Sequence, residues 1–171
     1  MAAGTLFLWL ATRRLVRGSE KTAERQLRAY IFSDHAKIIG FNTPHPLVIA
    51  AFKNSGQTPA YNVIVWVSCH IDAYPLGKKH ERPTDESSAS RGHVGPGATF
   101  QIPTPLSENM TASKTATIKA GVEAIYYYGE VTYIDAFDEA RFTRFCFIYG
   151  GDAGCNSEGV MATYGDWNEA T

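Results

Sequence analysis

Residues 124–149 read AIYYYGEVTYIDAFDEARFTRFCFIY. Two runs rich in aromatic and β-branched residues flank the polar reversal Asp135-Ala136-Phe137-Asp138-Glu139-Ala140, which has the length of a hairpin connection. Tyrosines and phenylalanines placed opposite one another across such a ribbon make strong cross-strand pairs, so this hairpin is expected at the centre of a sheet. Gly129, inside the first run, predicts a bulge or a close approach of another backbone.

Working outward, residues 50–67, AAFKNSGQTPAYNVIVWV, show a second reversal. The apolar run breaks at Asn54-Ser55-Gly56, where Asn or Gly can take the positive φ of a tight turn. Pro59 has no amide hydrogen and belongs at the lip of the next strand. Val63, Val65, Val67, Cys69 and Ile71 then alternate with Ile64, Trp66, Ser68, His70 and Asp72, which places the first set on the core face and leaves Trp66 for another segment to cover. The same criteria mark strands at Ala29–Phe41, Leu47–Asn54, Ala60–Ile71, Thr99–Pro103, Thr115–Ala120, Ala124–Ile134 and Arg141–Tyr149, with an eighth at Val160–Tyr164. Seven or eight short strands with no helical pattern between them predict a mainly β chain, an antiparallel sandwich or barrel. Residues 74–98 have no period and read as a long flexible loop.

The chain has 171 residues, 44% hydrophobic and 19% charged, which fits one domain with a core plus an appendage. Its formal net charge of −1 gives no general attraction for nucleic acid, so no nucleic-acid partner is expected. The appendage is residues 1–28. The stub AAGTLFLWLA is about half of the roughly 20 apolar residues that span a bilayer. Its positive charges, Arg13, Arg14 and Arg17, follow the apolar run, the reverse of a signal peptide's order. Trp9 followed by cationic residues is the pattern of a helix end on the cytoplasmic side of a membrane. Residues 12–30 have helical composition, with a restart expected at Ser19 after Gly18, and read as a stalk leading to a sandwich at residues 29–171.

Chemistry-bearing constellations are sparse. His70 and Asp72 share one strand face, and His80 and His93 flank the long loop, but two ligands on a strand do not make a zinc site. Asp135, Asp138 and Glu139 cluster at the hairpin tip without the spacing of a calcium loop. The segment GGDAGCNSEG, residues 150–159, lacks the lysine and following helix of a phosphate loop. Cys69 and Cys146 lie within apolar runs and read as core residues, whereas Cys155 is the candidate exposed thiol and the basis of a weak enzymatic reading. Eight aromatics, Tyr126, Tyr127, Tyr128, Tyr133, Phe137, Tyr149, Tyr164 and Trp167, either fill a second sheet face or form an exposed surface.

The order of an apolar segment, a pair of arginines, a charged helix, RAYIF, FKNSGQTPAYNV, YGEVTYIDAFDEARFTRFCF and a WNEA tail resembles a widespread group of uncharacterised bacterial membrane-anchored proteins. Asn54, Gly56, Thr58, Pro59 and Ala60, then Tyr128, Gly129, Tyr133, Asp135, Phe145 and Cys146, carry the resemblance. It implies an N-terminal transmembrane segment, a helical stalk and a small immunoglobulin-like β-sandwich, attached to the bacterial inner membrane, and it implies no activity. The half-length apolar segment departs from the group and suggests an anchor cut short. The sequence therefore leads to the expectation of a non-enzymatic, cofactor-free sandwich that presents an interaction surface to a protein partner, with Trp66, His70, Asp72, Asp135, Phe137 and Asp138 as candidate residues. The alternative is a small-ligand or metal-binding sandwich that uses His70, Asp72, Asp135 and Asp138.

Overall fold

A computed structural model describes residues 2–77, 82, 90–165 and 167–171. Among the described residues the chain is mainly β, with two antiparallel sheets and two α-helices. Helix α1 (Ala2–Leu27) leads into β1 (Ile31–Ile39), β2 (Leu47–Asn54), β3 (Ala60–Ala73), β4 (Ser90–Val94) and β5 (Thr99–Pro105). Helix α2 (Ala112–Lys119) precedes β6 (Glu123–Ile134), β7 (Ala140–Gly150) and the short β8 (Ala162–Thr163). One sheet has the order β1-β2-β5 and the other β4-β3-β6-β7-β8.

The 124–149 hairpin takes the central position that its aromatic density demands: β6 lies between β3 and β7, with Ala124 opposite Gly150 and Ile134 opposite Ala140. Alternation sends Val63, Val65 and Cys69 of β3, Tyr127 and Val131 of β6, and Phe145 and Phe147 of β7 into the core between the sheets. Phe52 of β2 reaches across to Phe145, with ring centroids 5.0 Å apart in an edge-on contact. Edge-on geometry sets the positive rim of one ring against the negative face of the other, which adds about 0.5–1.5 kcal/mol to the area buried.

The two lateral sides of the sandwich differ. On one, Gly159–Met161 pairs with β1, through Ile38 N–H to Gly159 O at 2.8 Å and Met161 N–H to Ala36 O at 3.0 Å. The chain then crosses to pair β8 with β7, so a single segment stitches the sheets together. On the other side, among the described residues, β4 and β5 are edges. Pro103 and Pro105 occupy alternate positions of β5, opposite Ile49 and Leu47, and remove amide donors from its open side.

Asn54 ties three segments where β2 ends. Its side chain is fully buried. Oδ1 accepts from the N–H groups of Tyr30 (3.1 Å) and Gly56 (3.0 Å), and Nδ2 donates to the carbonyls of Thr58, Val94 and Gly95 at 2.9, 3.2 and 3.2 Å.

Several expectations need correction. Residues 115–120 are not a strand. Thr111 caps α2 through its hydroxyl, which accepts from Lys114 N–H, and the β-branched residues sit on a helix that buries Ile118. Part of the long loop, residues 74–98, is the edge strand β4, and residues 78–81 and 83–89 of it fall outside the described residues. The 54–56 turn uses no positive φ; Gly56 is required because a Cβ there would stand 2.1 Å from the Arg28 carbonyl oxygen. Gly129 marks close approach and not a bulge, since its Cβ would stand 2.2 Å from the Trp66 oxygen, and the β3–β6 register shift lies at Tyr61–Ile64 with Asn62 at φ +49°. Helix α1 runs through Gly18 without a restart.

Candidate functional site

The six candidate residues spread along the five-stranded sheet, with Trp66 in the middle of β3, His70 and Asp72 toward its far end, and Asp135, Phe137 and Asp138 beyond the other. On the face of β3 turned away from the core, Trp66 is opposite Glu130, His70 opposite Tyr126 and Asp72 opposite Ala124. Asp135, Phe137 and Asp138 follow Ile134, which pairs with Tyr61 near the start of β3. Nine residues of β6 separate the level of His70 from Asp135, about 30 Å at about 3.3 Å per residue. A ligand or metal held by His70, Asp72, Asp135 and Asp138 together is geometrically impossible. Among the described residues no three His, Cys, Asp or Glu side chains group as metal ligands; His80 lies outside those residues.

The outer face is largely covered by the chain's own C-terminal segment. Trp66 is 5% exposed, in a cluster with Tyr128 and Cys146 that Tyr164 and Trp167 cover. Trp167 Nε1–H donates to the Gly129 carbonyl at 3.3 Å, Cys146 N–H to Asn168 Oδ1 at 3.0 Å, and Arg144 N–H to the Glu169 carbonyl at 2.8 Å. His70 stands edge-on to Tyr128 at 5.5 Å. Of the eight aromatics, Tyr126, Tyr127, Tyr128, Tyr133 and Tyr149 are buried, Tyr164 and Trp167 are partly buried, and Phe137 is 37% exposed.

A charged network on this face has no signal in the sequence. Glu130, 4% exposed, accepts from Arg82 Nη1 and Arg144 Nε, each at 2.7 Å. Arg144 also pairs with Glu169 and lies between the rings of Phe142 and Trp167, 4.8 Å from each centroid. The buried carboxylate is thus clamped by two planar forks whose rigidity favours such pairing.

At the hairpin tip Asp135 is structural. It is 1% exposed, and Oδ1 accepts from Phe137 N–H (2.9 Å) and Glu139 N–H (3.1 Å) while Oδ2 accepts from Arg141 Nε (2.9 Å). Burial pushes its carboxyl pKa up, but the Arg141 hydrogen bond and the two amides outweigh burial and hold it below the ordinary carboxylate range. Asp138, with φ +62°, and Phe137 project from the tip.

The thiols divide as their exposure dictates. Burial pushes Cys69 and Cys146 up to about 12. Cys155 is partly buried, and burial raises its pKa against a weaker opposing effect of the Lys119 charge. A thiol held protonated is a poor nucleophile, which counts against the Cys155 reading. Titration of the folded chain with a disulfide reagent at neutral pH is expected to label one equivalent, slowly, and three in denaturant. Rapid labelling of Cys155 in the native state would reverse that conclusion. Comparison with protein families, with curated proteins and with solved structures returns no match.

Proposed function

We propose that the chain is a non-enzymatic module, an immunoglobulin-like sandwich held at a membrane surface by α1. The observation that carries this reading is the exposure of α1. Every residue from Gly18 to Leu27 is exposed, so a 26-residue helix, about 39 Å long at about 1.5 Å per residue, leaves its described turns unpacked against the sheets. Helices draw most of their stability from packing an apolar face. Among the described residues no element packs on these turns, so we take the partner to be external, with the apolar N-terminal run as the part of α1 suited to bury in it.

Trp9 is 52% exposed and carries the Arg13 guanidinium 4.3 Å above its ring. An indole beside a cation suits the boundary between acyl chains and headgroups. No helix among the described residues is long and apolar enough to cross a membrane, so the proposed mode is interfacial. The Arg13, Arg14 and Arg17 flank favours the cytoplasmic face of a bacterial inner membrane, and the resemblance to the membrane-anchored group points the same way. The immunoglobulin-like assignment is supported by the strand order, with β4 joined to β3 and the β5–β6 connection passing through α2.

Of the six candidate residues, Phe137 at the hairpin tip is the exposed apolar side chain, whereas Trp66 is buried under the C-terminal segment, so the tip is the surface proposed for a partner. Flotation of the full chain with phosphatidylcholine vesicles containing phosphatidylglycerol tests the reading. The chain is expected to float, and Trp9→Glu to lower the bound fraction about tenfold. A chain that stays at the bottom of the gradient, or a variant that floats like the parent, overturns the proposal.

A further inference from the structure

Between the last turns of α1 and the β6–β7 hairpin tip lies an open polar cleft of about 320 Å³, room for roughly ten waters at about 30 Å³ each. Lys21, Arg25 and Arg28, spaced i, i+4 and i+7, line it from one face of the helix, and Arg141 lines it from the hairpin. Two of these guanidinium groups are fixed in place with donors unused. Arg141 is oriented by its Nε bond to Asp135, and among the described residues its two Nη groups have no hydrogen-bond partner. Arg28 lies over the Tyr30 ring at 4.3 Å, and its buried Nε meets no acceptor among the described residues. A buried donor without an acceptor is costly and calls for an explanation.

The charge balance narrows what fills the cleft. Glu24 and Glu139 line it and Asp135 stands behind Arg141, so three carboxylates answer four cations and one net positive charge remains. The partial negative charge at the C-terminal end of α1, about half an electron, reduces that field without reversing it. We propose that the cleft binds a phosphodiester group. A phosphodiester has one negative charge and two non-bridging oxygens in a tetrahedral arrangement, so Arg28 and Arg141 can each donate to one oxygen from different walls. A phosphomonoester dianion would leave excess negative charge beside Glu24 and Glu139. Phe137, exposed at the lip, offers apolar surface to an esterified group. The site stands whether or not the N-terminal segment meets a bilayer.

Two sources have this chemistry, a phospholipid headgroup and a soluble diester. The full chain is titrated with dimethyl phosphate, with dihexanoyl phosphatidylglycerol below its micelle concentration, and with trimethyl phosphate, a neutral phosphotriester, as the control. Amide resonances are followed. Saturable shifts centred on residues 21–28 and 137–141 are expected with the anionic diesters. Tighter binding of phosphatidylglycerol than of dimethyl phosphate identifies a headgroup site, and equal binding identifies a soluble diester site. Arg28→Gln and the exposed Arg25→Glu are each expected to weaken binding about tenfold without moving the melting temperature. No saturable shift with either anion, equal response to trimethyl phosphate, or unchanged affinity in both variants overturns the proposal. None of these readouts depends on Trp9, so failure here is separable from failure of vesicle flotation.

Discussion

Asn54→Ala is expected to lower the unfolding free energy by about 4–6 kcal/mol, a large part of the roughly 5–15 kcal/mol available to a domain. The side chain is fully buried and makes five hydrogen bonds, to Tyr30, Gly56, Thr58, Val94 and Gly95. Alanine removes the hub and keeps the spokes. Each stranded backbone group costs about 1–3 kcal/mol where water cannot reach it. Water can reach the part-buried partners, which is why the expected loss is well below five full penalties. The spokes come from the start of β1, the 54–58 turn and the end of β4, so segments far apart in the chain loosen together. Asn54→Asp is not a rescue. It keeps both acceptor bonds but turns a carboxylate toward three carbonyl oxygens. Urea unfolding checks the expectation through the midpoint, and a loss below about 1 kcal/mol would show that the hub is dispensable.

Asp135→Ala is expected to cost about 3 kcal/mol, the low end of the range for stranding one partner of a buried ion pair. The low end applies because the Arg141 side chain keeps 21% of its surface in water whereas that of Asp135 has none. The pair also has a pH signature. The folded carboxyl titrates below its unfolded value of about 3.9. Its contribution is therefore complete above that value and is lost as pH falls through the depressed folded value. Wild-type stability should fall in acid over that window, and Asp135→Asn, which retains acceptor capacity but carries no charge, should show a flatter profile. Identical slopes in denaturant melts from pH 5 to pH 2 would exclude Asp135 as the titrating group.

These two residues show how far the sequence could be read. Both stand out in it, Asn54 as a turn former and Asp135 as a solvated hairpin tip, and both are in fact buried hydrogen-bond centres. Composition marks where the chain reverses; it does not report what packs on the reversal. The 124–149 ribbon was legible because period-2 alternation and aromatic density are local signals. Helix α2 was not, since Thr115, Thr117 and Ile118 favour strands and only the Thr111 cap and the packing of Ile118 tip the balance. Strand β4 was missed because an edge strand needs few apolar residues. The cleft had no signal at all: Arg28 and Arg141 lie 113 residues apart in the chain, and only the pairing of β6 with β7 beside the end of α1 brings them to one site. Likewise, burial of Trp66 depends on Trp167, a century of residues downstream.

The segment that leaves β1 for β7 has a mechanical consequence. Tension applied between the N-terminal helix and the C-terminus enters the sandwich at β1 on one side and, on the other, falls first on the tail that lies against β7, through Thr171 N–H to Phe142 O and Arg144 N–H to Glu169 O. Those rungs and then β8 must open before load arrives at Gly159–Met161 and its bonds to Ala36 and Ile38. The tail is the mechanical fuse of the fold: it yields first, and until it does the seam between the sheets feels little of the pull.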